Sequence, residues 1–203
     1  SNRLCLMTDI PSDKDRLREK YRAARKRAHE AGADEAARRL AENFLAARDH
    51  MNFSGAVAAY AAMGSEIDTM PLSLILQDNG YELALPVVAK TRSPLIFRRW
   101  KPADELINGP HATRHPTPGA PEVTPGVVLA PLVAFDRTGG RLGQGQGYYD
   151  RTLKSLRAAG HVLAVGLAFA IQEADSLPHS GFDEPLDWII TEKEAIRCGE
   201  HKR

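Results

Sequence analysis

The sequence has little of what marks several classes of protein. Its 203 residues include two cysteines, Cys5 and Cys198, which lie far apart and form no CxxC pair. This usage predicts neither a disulfide scaffold nor a zinc site, and it fits a cytoplasmic protein. A formal net charge of +1 argues against nucleic-acid binding through a generally basic surface. No apolar run approaches the roughly 20 residues of a membrane helix, and residues 1–13 lack the apolar segment of a signal peptide.

Familiar motifs of metal and hydrolytic chemistry are also missing. The seven histidines are scattered and form no HExxH or HxH pair, so no zinc or iron site is predicted. There is no GxSxG elbow, and neither cysteine is placed as a nucleophile.

The most informative segment that is present is 139–151, GGRLGQGQGYYDR. It follows an apolar strand pattern over 126–136 and precedes a helical pattern over 148–160. Glycines let the backbone approach an anion closely, and the N–H groups of a helix start favour negative charge. Arg141 adds donors suited to phosphate oxygens. The segment therefore predicts a site for a nucleotide or another phosphorylated ligand.

The spacing of these glycines differs from the common fingerprints. A Walker A loop ends in Gly-Lys-Ser/Thr, whereas Gly147 is followed by Tyr148 and Tyr149. A dinucleotide fingerprint reads GxGxxG and has an acid after the next strand, and both features are absent. The simpler alternative is a flexible surface loop. Paired tyrosines and an acid at the helix start are unusual for a linker and favour the phosphate site.

Hydrophobic periodicity and turn signals predict alternating helices and strands. Helices are predicted over 12–30, 34–50, 70–80 and 148–160, with a short terminal helix that Thr191 and Glu194 would cap. Strands are predicted over 56–62, 81–89, 94–100, 126–136, 161–169 and 187–192, with irregular chain over 101–125 and 171–185. The alternation predicts an α/β fold, a mainly parallel sheet flanked by helices on both faces. We expect a single domain over 12–200 after a poorly ordered leader, 1–11.

The first helix has a basic face formed by Lys14, Arg18, Arg22 and Arg25, which recur at three- and four-residue steps. Composition favours a solvated charged face. The alternative is that Lys14 and Arg18 reach over the glycine-rich segment and hold a polyphosphate.

Four acids are candidates for site chemistry. Asp150, at a helix start, and Asp183 would suit Mg²⁺, which commonly uses one or two carboxylates together with water and phosphate oxygens. Asp183 could equally form a turn. Glu66 follows a strand, where the carboxyl edge of a parallel sheet opens onto a ligand crevice, although it could be a surface turn acid. Asp136 is interpreted as a turn cap.

Taken together, these segments resemble the 5-formyltetrahydrofolate cyclo-ligase family from Lys14 to about Glu192. The most specific piece is FDRTGGRLGQGQGYYDR, which is similar to the family signature FD-spacer-RLGxGxGYYDR. The other pieces are KDRLR, SEIDT, LALPVV and VGLAF followed by LDWIITE, in the order of the family.

The resemblance implies an ATP- and Mg²⁺-dependent conversion of 5-formyltetrahydrofolate, with or without a polyglutamate tail, to 5,10-methenyltetrahydrofolate with release of ADP and phosphate. In the family's scheme the formyl oxygen attacks the γ-phosphate, and N10 then closes the ring as phosphate departs. Such chemistry depends on positioning and charge neutralisation. The expected protein is a monomer with no nucleic-acid or membrane partner.

Site roles follow from the resemblance, residue by residue. Lys14 and Arg141 are expected to be catalytic, and Asp150 and Asp183 to bind the metal. Glu66 is expected to hold the folate, with Ala61 a further pocket residue. Phe97, Trp100 and one of the paired tyrosines are candidates for packing on the folate rings. The segments that match the family's ATP contacts comprise Lys14, Asp15, Arg16, Leu17 and Arg18, and Arg141, Leu142, Gly143, Gln144, Gly145, Gln146, Gly147, Tyr148 and Tyr149.

This chain departs from the family pattern at two places. His115-Pro116 stands where Glu-Pro is common, and segment 178–183 reads PHSGFD where PxExHD is common. Two rival functions stay open on the residues alone: an isomerase or transferase acting on a phosphorylated sugar or CoA-type ligand, and a sensing module that binds a nucleotide or folate without chemistry.

Overall fold

The structure is a computed structural model that describes residues 12–199. The predicted leader, 1–11, lies outside the described residues. Three α-helices are present: α1 Asp13–Ala47, α2 Met70–Asp78 and α3 Tyr148–Ala159. The strands are β1 Ala56–Ala58, β2 Leu83–Val87, β3 Ile96–Arg99, β4 Ile107–Asn108, β5 Arg114–His115, β6 Pro125–Ala130, β7 Ala134–Phe135, β8 Arg141–Leu142, β9 Leu163–Leu167, β10 Trp188–Ile190 and β11 Ala195–Arg197. Three short 3-10 turns lie at Arg48–His50, Pro110–Ala112 and Ala170–Gln172.

Seven of these strands form one sheet in the order β11-β10-β9-β6-β1-β2-β3. The central pairs, from β10 through β9, β6 and β1 to β2, are parallel, whereas the edge strands β3 and β11 are antiparallel to their neighbours. The prediction of a mainly parallel α/β sheet is confirmed.

Helices cover both faces of the sheet because alternate strand residues point to opposite sides. On one face, Leu40 and Phe44 of α1 and Leu72 of α2 pack in the cluster that contains Val57 and Val127. On the other face, Leu153 of α3 packs with the small and branched side chains Ala58, Ala84, Val128 and Ala164. Apolar burial on both sides fixes the sheet between the helical layers.

The first helix begins as the sequence predicts, since the Ser12 hydroxyl accepts from the backbone N–H of Asp15 at 3.2 Å. The two helices predicted on either side of residue 32 are the two halves of α1, which Gly32 interrupts with non-helical angles of φ 161° and ψ 62°. The first half carries the basic face toward the carboxyl edge of the sheet, and the second half packs on the core.

Two predictions of secondary structure are wrong. The pattern over 126–136 is two strands, because Pro131 lacks the N–H that would continue the ladder beyond β6. The chain leaves the sheet there, and β7 pairs with β8 in a separate hairpin. The predicted terminal helix is the strand β11. Thr191 Oγ1 accepts from the N–H groups of Lys193 and Glu194, so the cap signal forms a hairpin turn.

The segment predicted to be irregular, 101–125, is largely so but contains the small β4–β5 hairpin. In the part of the chain that runs from residue 12 to residue 199, no helix is long and apolar enough to cross a membrane.

Candidate active site

A cavity of about 720 Å³ opens at the carboxyl edge of the parallel strands. Tyr60 and Ala61, which follow β1, form part of its wall, and so do Pro131 and Leu132, which follow β6. The rest of the wall comes from the start of α1, from residues 141–151 and from the loop that contains Asp183. This position matches the rule that open α/β sheets bind ligands beyond the carboxyl ends of their strands.

The glycine loop, residues 143–147, connects β8 to α3 along one side of the cavity. Gly145 and Gly147 have φ of 104° and 69°, which side chains other than glycine rarely adopt. A Cβ atom on Gly143 would lie 3.0 Å from Nη1 of Arg141. The glycines therefore serve two needs: the sharp turn into α3 and space for a guanidinium packed against the loop.

The basic face of α1 lies against this loop and is not wholly solvated. Arg18 Nε donates to the carbonyl of Gly143 at 2.9 Å, and Arg22 Nε donates to Oε1 of Gln144 at 3.0 Å. Lys14 Nζ pairs with Asp183 at 3.3 Å. Lys14 and Arg18 both line the cavity. Of the alternatives for this helix, the structure favours the one in which its cations reach the glycine loop.

The intervening residues of the segment 14–18 are placed differently. Asp15 is exposed and accepts from Arg18 Nη1 at 2.9 Å, and Arg16 is also exposed. Leu17 packs on the small apolar cluster around Tyr21. None of Asp15, Arg16 and Leu17 lines the cavity, because on a helix only residues three and four apart share a face.

Arg141 is the most deeply buried cation on the cavity wall, with a side chain that is 6% exposed. Its Nη1 donates to the carbonyl of Pro131 at 2.9 Å, and its Nη2 lies 3.8 Å from a carboxylate oxygen of Asp150. Its Nε has no hydrogen-bond partner. Burial lowers the pKa of Arg141, and the negative charge of Asp150 opposes this lowering. A guanidinium nevertheless stays protonated in proteins. The cavity thus holds a desolvated positive charge with unused donor capacity.

Asp150 and Asp183 lie at the same end of the cavity and are joined through one loop. Asp150 Oδ1 accepts from the N–H of Glu184 at 3.0 Å, and Asp183 Oδ2 accepts from the N–H of Ser180 at 2.8 Å. Burial acts to raise the pKa of Asp183, but the Ser180 N–H and the Lys14 ammonium outweigh it and lower that pKa. Asp183 is therefore available as a carboxylate.

No group of three or more His, Cys, Asp or Glu side chains among residues 12–199 is arranged to hold a metal ion. A pair of carboxylates beside a phosphate-binding loop nevertheless suits Mg²⁺, which takes oxygen ligands and completes its shell with water and phosphate oxygens. The donor set fits Mg²⁺ bound together with a nucleotide.

The cavity wall also contains Glu66, which is 9% exposed. Its Oε2 accepts from the N–H of Met63 at 2.9 Å. Burial raises the pKa of Glu66, while the Met63 N–H and the charge of Arg25 act against the rise. Ala61 lines the same region. A buried carboxylate in an apolar wall is suited to accept hydrogen bonds from a ligand that donates them.

Aromatic side chains divide between the cavity and the core. Tyr148 and Tyr149 line the cavity, and the Arg141 guanidinium lies 5.4 Å from the ring centroid of Tyr149. Phe97 and Trp100 do not line it: they are 4% and 3% exposed and pack on opposite faces of the sheet. Their alternation along β3 and just beyond it explains this burial, and the structure does not support a role for them in packing on ligand rings.

Asp136 and His115, which the sequence analysis also named, lie outside the cavity wall and have structural roles. Asp136 Oδ1 accepts from the N–H groups of Thr138 and Gly140, and its Oδ2 accepts from that of Leu177. The prediction of a turn cap is confirmed. His115 pairs with Ile107 in the β4–β5 hairpin and does not line the cavity.

The sequence reasoning missed several residues of the cavity wall. Pro86, Val88 and Leu95 form an apolar patch near the edge strands, and Phe182 stands at the rim with 82% of its surface exposed. At the end of a strand, an apolar side chain has the same sequence pattern whether it lines a cavity or packs in the core, so the sequence could not identify these residues. The exposed aromatic lies directly before Asp183, in the loop that departs from the family pattern.

Comparisons with known proteins agree with this geometry. The sequence profile of the 5-formyltetrahydrofolate cyclo-ligase family matches residues 10–192. A 5-formyltetrahydrofolate cyclo-ligase of Escherichia coli K12 is 34% identical over 140 residues, which are 66% of this chain and 76% of the relative. One from Mycolicibacterium smegmatis is 33% identical over 148 residues, 69% of this chain and 75% of the relative.

Among solved structures, the NMR structure of a 5,10-methenyltetrahydrofolate synthetase from Aquifex aeolicus superposes with a TM-score of 0.77 at 29% identity and covers 94% of this chain and 95% of that one. The profile match spans the α1 cations, the glycine loop and both acids, so it includes every element that forms the cavity. The chain therefore belongs to the 5-formyltetrahydrofolate cyclo-ligase family.

Proposed function

We propose that this protein converts 5-formyltetrahydrofolate to 5,10-methenyltetrahydrofolate, with ATP and Mg²⁺, releasing ADP and phosphate. The observation that carries the proposal is one cavity whose wall has two chemically different parts, here called the phosphate end and the folate end. Cations and a glycine loop form the phosphate end, residues 141–147 with Lys14 and Arg18. A buried acid, Glu66, stands at the folate end.

The phosphate end is suited to a nucleoside triphosphate. Backbone N–H groups at the start of α3 and the side chains of Lys14, Arg18 and Arg141 would neutralise the phosphate oxygens. Asp150 and Asp183 would hold Mg²⁺, which would neutralise part of the charge of the phosphate groups. Lys14 would exchange its ion pair with Asp183 for a contact to the nucleotide.

The folate end orients the nucleophile. Glu66 would accept hydrogen bonds from N–H donors of the pterin, and the tyrosines at the start of α3 would pack on the flat rings. The formyl oxygen then attacks the γ-phosphorus and ADP leaves. N10 attacks the formyl carbon, and the oxygen departs with phosphate. An amide oxygen is a weak nucleophile, so the protein contributes by holding it in line and by stabilising the developing charge.

Incubation with 5-formyltetrahydrofolate, ATP and Mg²⁺ tests the proposal by the absorbance of the methenyl product. We expect product only when all three are present, and one ADP for each product formed. Binding of both ligands without product would favour a sensing module. Turnover of a phosphorylated sugar or a CoA-type ligand that needs neither ATP nor Mg²⁺ would favour the isomerase or transferase.

The proposal also covers the organisation of the chain. Residues 12–200 would form a single domain and act as a monomer, because the cavity wall is built from segments of one chain spread from α1 to Asp183. Size-exclusion chromatography with light scattering, at the protein concentration of the activity assay, measures the oligomeric state.

A further inference from the structure

A second buried cation lies behind the folate end of the cavity. Arg25, on α1, is 6% exposed, although Arg18 and Arg22 of the same basic face reach the glycine loop. Its Nε donates to the hydroxyl of Ser65 at 3.1 Å, and its Nη1 donates to the carbonyl of Leu132 at 3.1 Å. Ser65 directly precedes Glu66, and Leu132 lines the cavity. Arg25 therefore joins α1 to the two loops that follow β1 and β6.

These two hydrogen bonds go to uncharged acceptors and leave the positive charge of Arg25 uncompensated. A buried charge without an opposite charge nearby is strongly unfavourable. The carboxyl group that acts on Arg25 is that of Glu66, and the charge of Arg25 acts in turn on Glu66. Each buried group thus supplies the charge that the other needs.

The remaining ionisable groups that act on this pair do not replace either partner. Tyr60 is buried and Tyr149 is half-buried, and burial raises the pKa of both phenols, so both are neutral near pH 7. Arg22 acts on Arg25 as a like charge. Arg25 is the source of positive charge that opposes protonation of Glu66.

We propose that Arg25 is a positioning residue for the folate end: it fixes the loop that presents Glu66 and keeps that carboxylate negatively charged for the pterin. This inference rests on the proposed function for the identity of the ligand. Arg25 does not line the cavity, so it acts through Glu66 and not by touching the ligand.

Binding measurements without nucleotide test the effect on the ligand. We expect Arg25→Gln to weaken 5-formyltetrahydrofolate binding by about tenfold or more, a loss within the range of coupling energies between interacting residues. ATP affinity should change by less than about threefold. Arg27→Gln is the matched control, since Arg27 is exposed on the same helix, and it should leave both affinities unchanged. An equal loss of both affinities in Arg25→Gln would overturn the proposal.

A double-mutant cycle separates the electrostatic role from a purely structural one. In a Glu66→Gln background, Arg25→Gln should weaken folate binding by less than about threefold more, because a neutral amide does not need a nearby cation. Effects that simply add, within experimental error, would show that Arg25 only holds the loops together and would overturn the proposal.

Titration of the Glu66 carboxyl by carbon-13 NMR reads the same coupling without substrate. Its pKa should rise in Arg25→Gln, and an unchanged value would overturn the proposal. If Arg25→Gln does not fold, the same titration is made on Arg25→Lys. Lysine keeps the positive charge without the paired donors, so the Glu66 pKa should stay near the wild-type value, and a rise would refute the charge role. The Glu66 pKa can be measured even if the wild-type protein forms no methenyl product. Absence of product would defeat the proposed function, whereas the pKa measurement tests the role of Arg25 separately.

Discussion

Replacing Arg141 by alanine should lower ATP-dependent turnover by about 10²–10³-fold. The guanidinium is held by the carbonyl of Pro131 at 2.9 Å and by Asp150 at 3.8 Å, and its Nε has no partner. With 6% of the side chain exposed, little water is available to replace it. Loss of one donor that stabilises charge in a desolvated transition state costs about 3–4 kcal/mol, which corresponds to the stated loss of rate.

The assay is methenyl formation at saturating ATP, Mg²⁺ and 5-formyltetrahydrofolate. Arg137→Ala is the matched control, because Arg137 lies in the same β7–β8 hairpin but pairs with Glu173 and Glu194 at the surface. It should keep wild-type turnover. Folate affinity without nucleotide should be unchanged in Arg141→Ala, since Glu66 and not Arg141 is assigned to the pterin. A folded Arg141→Ala protein with turnover within about tenfold of wild type would refute the assignment of Arg141 to the phosphate site.

Three further predictions concern the folate end, a turn and the core. Glu66→Gln should weaken 5-formyltetrahydrofolate binding by about tenfold or more and ATP binding by less than about threefold; calorimetry that finds equal losses would contradict the role of Glu66. Asp136→Asn should lower the free energy of unfolding by about 2–3 kcal/mol at pH 7, because an amide cannot accept all the hydrogen bonds that this buried carboxylate accepts. Burial acts to raise the pKa of Asp136, but its hydrogen bonds outweigh burial and lower that pKa. The stability that the carboxylate contributes is therefore full above its unfolded pKa of about 4 and is lost as the pH falls through the lower folded value. Urea unfolding should show a difference in stability between wild type and Asp136→Asn that closes below about pH 4, and a difference that persists at lower pH would contradict the prediction. Phe97→Ala should cost about 3–5 kcal/mol of stability with folate affinity nearly unchanged, and a selective loss of folate affinity would place Phe97 at the ligand after all.

Local sequence signals predicted much of the fold because local physics decides those features. The start of α1 after residue 12, the end of α2 before residue 80 and the start of α3 at residue 148 depend on backbone conformation and nearby hydrogen bonds. The terminal strand β11 was mispredicted as a helix because Thr191 satisfies nearby N–H groups equally well in a helix cap and in a hairpin turn. The choice between a helix and a hairpin depends on whether this segment pairs with β10, and the local sequence carries no information about that pairing.

The sequence alone predicted that the glycine loop would serve a phosphate-containing ligand, since residue type and spacing indicate what such a loop can bind, and it left open whether the basic helix face and the acids belong to the same site. Only the tertiary structure decided which of them meet. Arg18 contacts the glycine loop and Lys14 pairs with Asp183, whereas Arg25 turns inward. Phe97 and Trp100 are buried in the core. Periodicity shows which residues share a face, but the neighbour of that face depends on how α1 docks across the sheet, and that docking is set by contacts between residues far apart in the chain.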